Sequence, residues 1–175
     1  MADSIETRLT GGHPNSLGNT IEVVEDVLAQ PALFDELFHG YFSEDEVVRL
    51  RVSNAMKRIC KANRSLLLPY IDRFQTDIAA IDQASTQWTL ASLFSMLDKD
   101  MSPAQLQKAR EIVQHNLATH DDWIVLNTSM ETLATWAKKD EALKAWLMPH
   151  LTRLSQDSRK SVKGKATKWL AKLNK

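Results

Sequence analysis

Apolar residues recur every three to four positions through most of the chain, in segments that short polar breaks separate. This spacing places the apolar side chains of each segment on one face of an α-helix, which must pack against another helix. No segment alternates apolar and polar residues between two turns, so the sequence predicts an all-α fold without a sheet. Helices are predicted over residues 32–42, 64–80, 84–98, 103–118, 122–138, 141–155 and 159–173, and two more begin at Asn19 and after Ser43.

Residues with strong preferences for helix ends mark several of the breaks. Asn19 followed by Glu22 has the spacing of a capping box, and Pro31 ends the helix that begins there. Ser43 is predicted to cap the third helix. The dipeptide at 102–103, Ser-Pro, is a strong start signal, because serine caps helices and proline suits the first turn.

The first 18 residues lack the helical pattern and contain three of the five glycines. We predict a polar N-terminal arm or loop over residues 1–18, followed by a single helical repeat domain over residues 19–175. The Gly-rich part of the arm, residues 10–18, either leads into the first helix or folds over a groove and gates a ligand.

Two stretches that lie 80 residues apart, 68–74 and 148–154, share the order apolar-Pro-x-apolar-x-Arg-apolar. Pro69 and Pro149 each fall inside a helical pattern, where a proline costs roughly 3 kcal/mol through a lost hydrogen bond and a ring clash. The same costly residue in the same local context indicates an internal repeat, in which the two prolines mark equivalent first helices.

Apolar positions near the starts of four helices are also evenly spaced. Val48, Trp88, Val125 and Val162 lie 40, 37 and 37 residues apart. A helix pair of about 40 residues cannot bury its apolar face alone, and stacking on neighbouring pairs completes the core. The spacing therefore predicts an array of helix pairs that repeats every 37–40 residues.

The segment 45–49, Asp-Glu-Val-Val-Arg, followed by Ser53 and Ile59, resembles the second-helix signature of the HEAT-repeat family. Residues 122–126 are similar but have leucine in place of the arginine, and residues 162–170 keep the valine-basic pair. The proline-containing stretches are similar to the family's first helix.

The resemblance covers about residues 32–173. It implies an α-α superhelix, a HEAT/ARM-like solenoid, of about four helix pairs after one N-terminal helix. It also implies a non-catalytic protein-protein interaction scaffold or adaptor, which would use the groove lined by the second helices of the pairs.

The charges are distributed unevenly although the net charge is zero. Residues 138–175 contain 11 Lys and Arg against three Asp and Glu, a net charge of +8, and residues 1–137 carry −8. The basic end is either a solvated capping face or a patch for nucleic acid or an acidic partner. The tryptophan among these lysines, Trp169, follows the apolar pattern, so a base-stacking platform is not expected.

Residues that could carry catalysis or bind a metal do not form a recognisable site. The sequence has no Gly-rich phosphate loop, no Cys-x-x-Cys and no His-Glu-x-x-His. His115 and His120 fall on different faces of a helix, and Cys60 fits the apolar face as a small core residue. We therefore expect no enzyme activity, no cofactor and no metal.

Candidate binding residues come from the basic end and from one tryptophan. Trp88, Trp136, Trp146 and Trp169 follow apolar patterns and are expected in the core, whereas Trp123 stands in the first turn of a helix and is expected to be exposed. The other candidates are basic: Arg153, Arg159, Lys160, Lys163, Lys165 and Lys168.

Two alternatives to a protein-binding scaffold remain open. The first is a nucleic-acid-binding HEAT-like protein that uses the basic C-terminal repeat. The second is a HEAT-fold DNA glycosylase, although no position here matches that class's catalytic acid. No apolar run approaches membrane-spanning length and the first residues do not resemble a signal peptide, so a cytoplasmic location without membrane contact is expected.

Overall fold

The computed structural model describes residues 3–175, in which every regular element is helical. The α-helices are α1 (Ile5–Leu9), α2 (Thr20–Ala29), α3 (Phe34–His39), α4 (Glu46–Asn63), α5 (Ile71–Arg73), α6 (Ala84–Leu97), α7 (Pro103–Thr119), α8 (Trp123–Ala137), α9 (Glu141–Leu154) and α10 (Lys160–Leu173). Turns of 3-10 helix cover Pro31–Leu33, Gly40–Phe42, Arg64–Leu66, Leu68–Tyr70 and Asp98–Asp100, and a π-helical turn covers Phe74–Ile78. The predicted all-α fold class is confirmed.

Polar side chains cap the helices at several of the predicted breaks. Ser102 Oγ accepts a hydrogen bond from the Gln105 amide at 3.2 Å, and the Gln105 side chain accepts one from the Ser102 amide at 3.0 Å. This capping box starts α7, with Pro103 as its first residue. Asp122 and Asp140 cap α8 and α9 by accepting from backbone amides of the first turn.

Two predicted caps are wrong. The Asn19 side chain makes no capping bond to α2, and its amide nitrogen donates to the carbonyl oxygen of Arg8 at 3.1 Å. Asp45, and not Ser43, caps α4: the Asp45 carboxylate accepts from the Val47 amide at 2.8 Å. Ser43 Oγ instead accepts from the Asp45 amide at 3.2 Å and so orients the residue that caps the helix.

The two prolines that mark the internal repeat, Pro69 and Pro149, lie in different local structures. Pro149 stands inside α9, as predicted. Pro69 instead lies in the 3-10 turn Leu68–Tyr70, and the continuous helix predicted over residues 64–80 is wrong. Proline has no N–H to donate to the fourth residue before it, and this stretch divides into two 3-10 turns, α5 and the π-helical turn. The segment predicted as a helix over residues 32–42 is likewise α3 between two 3-10 turns.

The chain forms two compact units, one up to Thr89 and the other covering Leu90–Lys175. In the first unit, α4 is the central helix, and α1 and α2 pack against it. Its buried residues include Val48, Val52, Met56 and Ile59. The predicted arm contributes to this core, because Ile5 and Leu9 of α1 are buried.

In the second unit, α8 packs against α7, α9 and α10, and α9 packs against α10. Helix pairs α7–α8 and α9–α10 therefore bury their apolar faces together, which is the stacking that the repeat spacing predicts. The residues that meet in this core include Val113, Leu117, Val125, Met130, Leu133, Leu147, Leu151, Val162 and Ala166. The predicted limits of one domain over residues 19–175 stay a prediction.

Candidate interaction surfaces

Arg51 holds the N-terminal loop against α4. Its side chain is only 1% exposed, and its guanidinium donates to four backbone carbonyls. The bonds run to Leu9 at 2.6 Å, Gly11 at 2.7 Å, His13 at 3.2 Å and Ser16 at 3.1 Å. This role is not predictable from the sequence, because the four acceptors are backbone atoms that lie 35 to 42 residues away.

Glycines allow the loop to wrap around this guanidinium. Gly11, Gly12 and Gly18 have φ values of 73°, 72° and 51°, in the left-handed region that disfavours residues with a side chain. A Cβ atom at Gly18 would stand 2.9 Å from Arg51 Cζ. The loop is therefore a fixed part of the first unit, tied to α4 through one buried cation.

Equivalent tryptophans connect successive second helices in the second unit. Trp136 of α8 donates its indole N–H to the Asp98 carboxylate at 3.1 Å, and Trp169 of α10 donates to the Glu131 carboxylate of α8 at 3.0 Å. Both contacts span 38 positions of the chain. This span matches the predicted repeat length.

Trp123, the first residue of α8, is 48% exposed, as predicted. The start of α10 lies beside this turn, because Arg159 Nη1 donates to the Asp121 carbonyl oxygen and Arg159 Nη2 donates to the Asp121 carboxylate at 3.2 Å. The same guanidinium contacts both carboxylate oxygens of Asp157, at 2.9 and 2.8 Å. Arg159 therefore joins the loops that precede α8 and α10.

Three basic residues stand at the start of α10. Arg159 is its N-cap, and Lys160 and Lys163 follow in the first turn with exposed side chains. Cations are unfavourable at this end of a helix, because the helix dipole is positive there. Hydrogen bonds from the Arg159 side chain and backbone lower the pKa of Asp157 to about 2, which keeps one compensating negative charge in place.

Arg153, at the end of α9, is exposed and belongs to the same edge. Its Nη2 donates to the carbonyl oxygen of Leu117 at 3.3 Å, and its charge contributes to lowering the pKa of Asp157. Arg153 and Arg159 therefore lie near Asp157, and Arg159 also reaches Asp121, two residues before Trp123. We call Trp123, Arg153, Arg159, Lys160 and Lys163 the α10-start surface.

The remaining predicted cations lie on another face of α10. Lys165 Nζ contacts the Glu131 carboxylate at 3.1 Å, and Lys168 lies close enough to affect the same carboxyl group. Lys138 and Lys172, which the sequence did not single out, place their Nζ atoms 5.2 and 4.9 Å from the centre of the Trp169 ring. We call these four lysines the Trp169 lysine cluster.

Trp169 itself is covered by the cluster and is 2% exposed. Burial raises the pKa of Glu131, but the hydrogen bonds from Lys165 and Trp169 and the charges of Lys165 and Lys168 outweigh it, so the pKa is lowered. Lys165 and Lys168 thus favour the ionised form of Glu131. Lys165 and Lys172 have a structural role here, and no base could stack on this tryptophan.

Comparison with known proteins agrees with the repeat geometry. No family model matches the chain. The chain is 27% identical over 154 residues to TATA-binding protein-associated factor 172 from Homo sapiens, a HEAT-repeat protein. That match covers 82% of the chain and only 8% of the relative's length. The chain is an all-α helical repeat protein that is similar in sequence to a HEAT-repeat protein.

Among solved structures, the chain aligns with a designed armadillo repeat protein. Its TM-score against this repeat protein is 0.40 at 13% sequence identity, and the alignment covers 97% of this chain and 98% of the designed one.

The predicted core positions of Cys60 and Trp136 are confirmed, whereas those of Trp88 and Trp146 are wrong. Cys60 of the repeat protein is 4% exposed, as expected for a core residue, and Trp136 is buried at 7%. Trp88 and Trp146 are only half-buried, and the Trp146 ring stacks on His150 with 4.2 Å between centroids. Within residues 3–175, no group of three His, Cys, Asp or Glu side chains could hold a metal ion. No helix in the same range is long and apolar enough to cross a membrane.

Proposed function

We propose that the chain is a non-catalytic scaffold or adaptor that binds another protein through the α10-start surface. The observation that carries this proposal is the 48% exposure of Trp123 beside a concentration of cations. Tryptophan and arginine are the residues most enriched among those that dominate binding energy at protein interfaces. Trp123 is one of the four large hydrophobic side chains that are exposed within residues 3–175.

The positions of the positive charges also support partner binding at the α10-start surface. Lys160 and Lys163 stand near the positive end of the α10 dipole, where the charge of a cation is unfavourable. A partner with an acidic contact region would offset this cost, which makes the cations favourable in the complex. The relative is named as a factor associated with the TATA-binding protein, which is a protein partner, and this agrees with a binding role. A cytoplasmic location is part of the proposal.

Affinity capture from cell extract tests the proposal with matched variants. The wild-type chain should retain a defined protein, and Trp123→Ala and the double variant Lys160→Glu/Lys163→Glu should each lose it. The control Lys108→Glu/Lys139→Glu makes the same charge change at two exposed lysines outside the α10-start surface and should retain the partner. Equal capture by all four proteins would contradict the proposed surface.

Nucleic-acid binding is the second candidate, and the Trp169 lysine cluster favours it. Two of its lysines act on the Glu131 carboxylate and the other two lie over the Trp169 ring, so four positive charges accompany one negative charge. A gel shift of duplex DNA that weakens steeply with salt, and that Lys138→Glu/Lys168→Glu abolishes, would support this function. Absence of a shift at low salt would exclude it.

A further inference from the structure

A second cationic surface lies on α4, in the first unit. Between Arg51 and Lys61, every residue of α4 is buried except Asn54, Lys57, Arg58 and Lys61 itself. Their spacing places them on one stripe of the helix, over a length of about 10 Å. The same four side chains line a cavity of about 190 Å³. We call this set the α4 stripe.

The stripe has positive charge without a matching negative charge. Within residues 3–175, no carboxylate forms an ion pair with Lys57, Arg58 or Lys61. Arg58 Nε donates a hydrogen bond to Asn54 Oδ1 at 2.7 Å, which is a neutral acceptor. Burial, followed by the charges of Lys61 and Arg58, lowers the pKa of Lys57. The three cations therefore repel one another in the free protein, and a bound anion would relieve that repulsion.

The Asn54 contact also prepares Arg58 for a ligand. It occupies Nε and holds the guanidinium in place, and it leaves both terminal Nη nitrogens available. These two nitrogens form a planar fork that suits two oxygens of one carboxylate. Lys57 and Lys61 lie on either side of this fork and can contact neighbouring carboxylates as point charges.

We propose that the α4 stripe binds a short acidic segment of a partner protein, rich in Asp and Glu. This is a binding site separate from the α10-start surface, in a different compact unit, and it does not depend on that surface being used.

Two observations favour an acidic peptide over nucleic acid. The residues up to Thr89 contain 8 Lys and Arg against 13 Asp and Glu, so the unit that carries the stripe has a net charge of −5. A long polyanion would be repelled beyond the stripe, whereas a segment of a few residues contacts only the three cations. The stripe also contains no aromatic side chain on which a base could stack.

Fluorescence anisotropy with a labelled glutamate oligopeptide tests this inference on the full-length chain at low ionic strength. The variant Arg58→Glu/Lys61→Glu should weaken binding by about tenfold or more, because two attractions become repulsions at exposed positions. Arg58→Ala/Lys61→Ala should give a smaller loss. Lys108→Glu/Lys139→Glu, with the same charge change at exposed positions outside both surfaces, should bind the peptide as the wild type does.

The peptide-binding results test the α4 stripe independently of partner binding at the α10-start surface. Absence of peptide binding, or equal binding by Arg58→Glu/Lys61→Glu and the wild type, would overturn the α4 stripe. Loss of peptide binding in Lys160→Glu/Lys163→Glu alone would also overturn it and move the site to the α10-start surface. If labelled oligo-dT binds the stripe more tightly than the peptide, the ligand class is wrong. Unchanged circular dichroism of the variants confirms that they fold.

Discussion

The indole N–H of Trp169 donates to the carboxylate of Glu131 at 3.0 Å, across 38 positions of the chain. The pair Trp136 and Asp98 makes the corresponding contact over the same span at 3.1 Å. The two tryptophans are 33 residues apart, although α8 and α10 start 37 residues apart. The contact therefore lies about one helical turn nearer the helix start in the last pair, which shows that the repeats are equivalent without being identical.

Removing the acceptor of this contact should destabilise the second unit. Glu131→Ala leaves the Trp169 N–H in a buried site without a partner and removes the only carboxylate that contacts Lys165 in residues 3–175. We expect a loss of about 1–3 kcal/mol in the free energy of unfolding, measured in urea. Glu131→Gln retains an acceptor oxygen and should lose less. Equal losses for the two variants would show that the indole hydrogen bond contributes nothing.

Replacing glycine by alanine should have opposite effects on stability in the N-terminal loop and in α10. Gly18→Ala should destabilise the protein by roughly 1–3 kcal/mol, because φ is 51° and the new Cβ would lie 2.9 Å from Arg51 Cζ. Gly11→Ala also has a positive φ but meets no atom within 4 Å, and should cost less. Gly164→Ala, inside α10 with nothing within 4 Å, should stabilise by about 0.5–1 kcal/mol. Thermal unfolding of the three variants gives the order, and a Gly18→Ala protein as stable as Gly11→Ala would contradict the contact with Arg51.

Arg51→Met should release the N-terminal loop. Methionine has a similar length but no donors, so the carbonyls of Leu9, Gly11, His13 and Ser16 lose their shared partner. We expect faster amide hydrogen exchange over residues 10–18 and a lower unfolding free energy, by about 2 kcal/mol or more. Exchange in α7 to α10 is the internal control and should not change. Unchanged exchange over residues 10–18 would show that the loop is held by other contacts.

The Arg159–Asp157 contact predicts a pH dependence of stability. Its hydrogen bonds lower the pKa of Asp157 from 3.8 to about 2 in the folded protein. A depressed carboxyl pKa stabilises the fold above the unfolded value, and this contribution is lost as the pH falls from 3.8 towards 2. The difference in unfolding free energy between the wild type and Asp157→Asn should therefore shrink over that interval. A difference that stays constant from neutral pH to pH 2 would mean that the folded and unfolded pKa values are equal.

Most of the helices could be predicted from the sequence, because the residues that start and end a helix lie close together in the chain. Ser102 with Gln105, and Asp140 before α9, cap helices through residues two or three positions away. α1 was missed because one turn of helix, capped by Ser4, is too short to show periodicity. The helix over residues 64–80 was predicted as continuous because Pro69 interrupts the backbone hydrogen bonds without changing the apolar pattern.

The surface clusters were harder to predict from the sequence, because they depend on which residues share a face of the folded protein. The lysines of α10 were predicted as one group, but those at 160 and 163 lie at the helix start while those at 165 and 168 face Glu131. Exposure of Trp123 was predictable from its place in the first turn of α8. The α4 stripe was missed because its three cations lie in the half of the chain whose summed charge is negative.

Site-specific photocrosslinking measures the proposed contact surface most directly. Benzoylphenylalanine at position 123 or 163, in the α10-start surface, should form an adduct of one defined mass with a partner protein in cell extract. The same residue at position 108 or 139, which are exposed lysine positions elsewhere, should form none. Adducts at 123 and 163 alone are the predicted result. Equal adducts at all four positions, or adducts only at 108 and 139, would contradict a binding surface centred on Trp123.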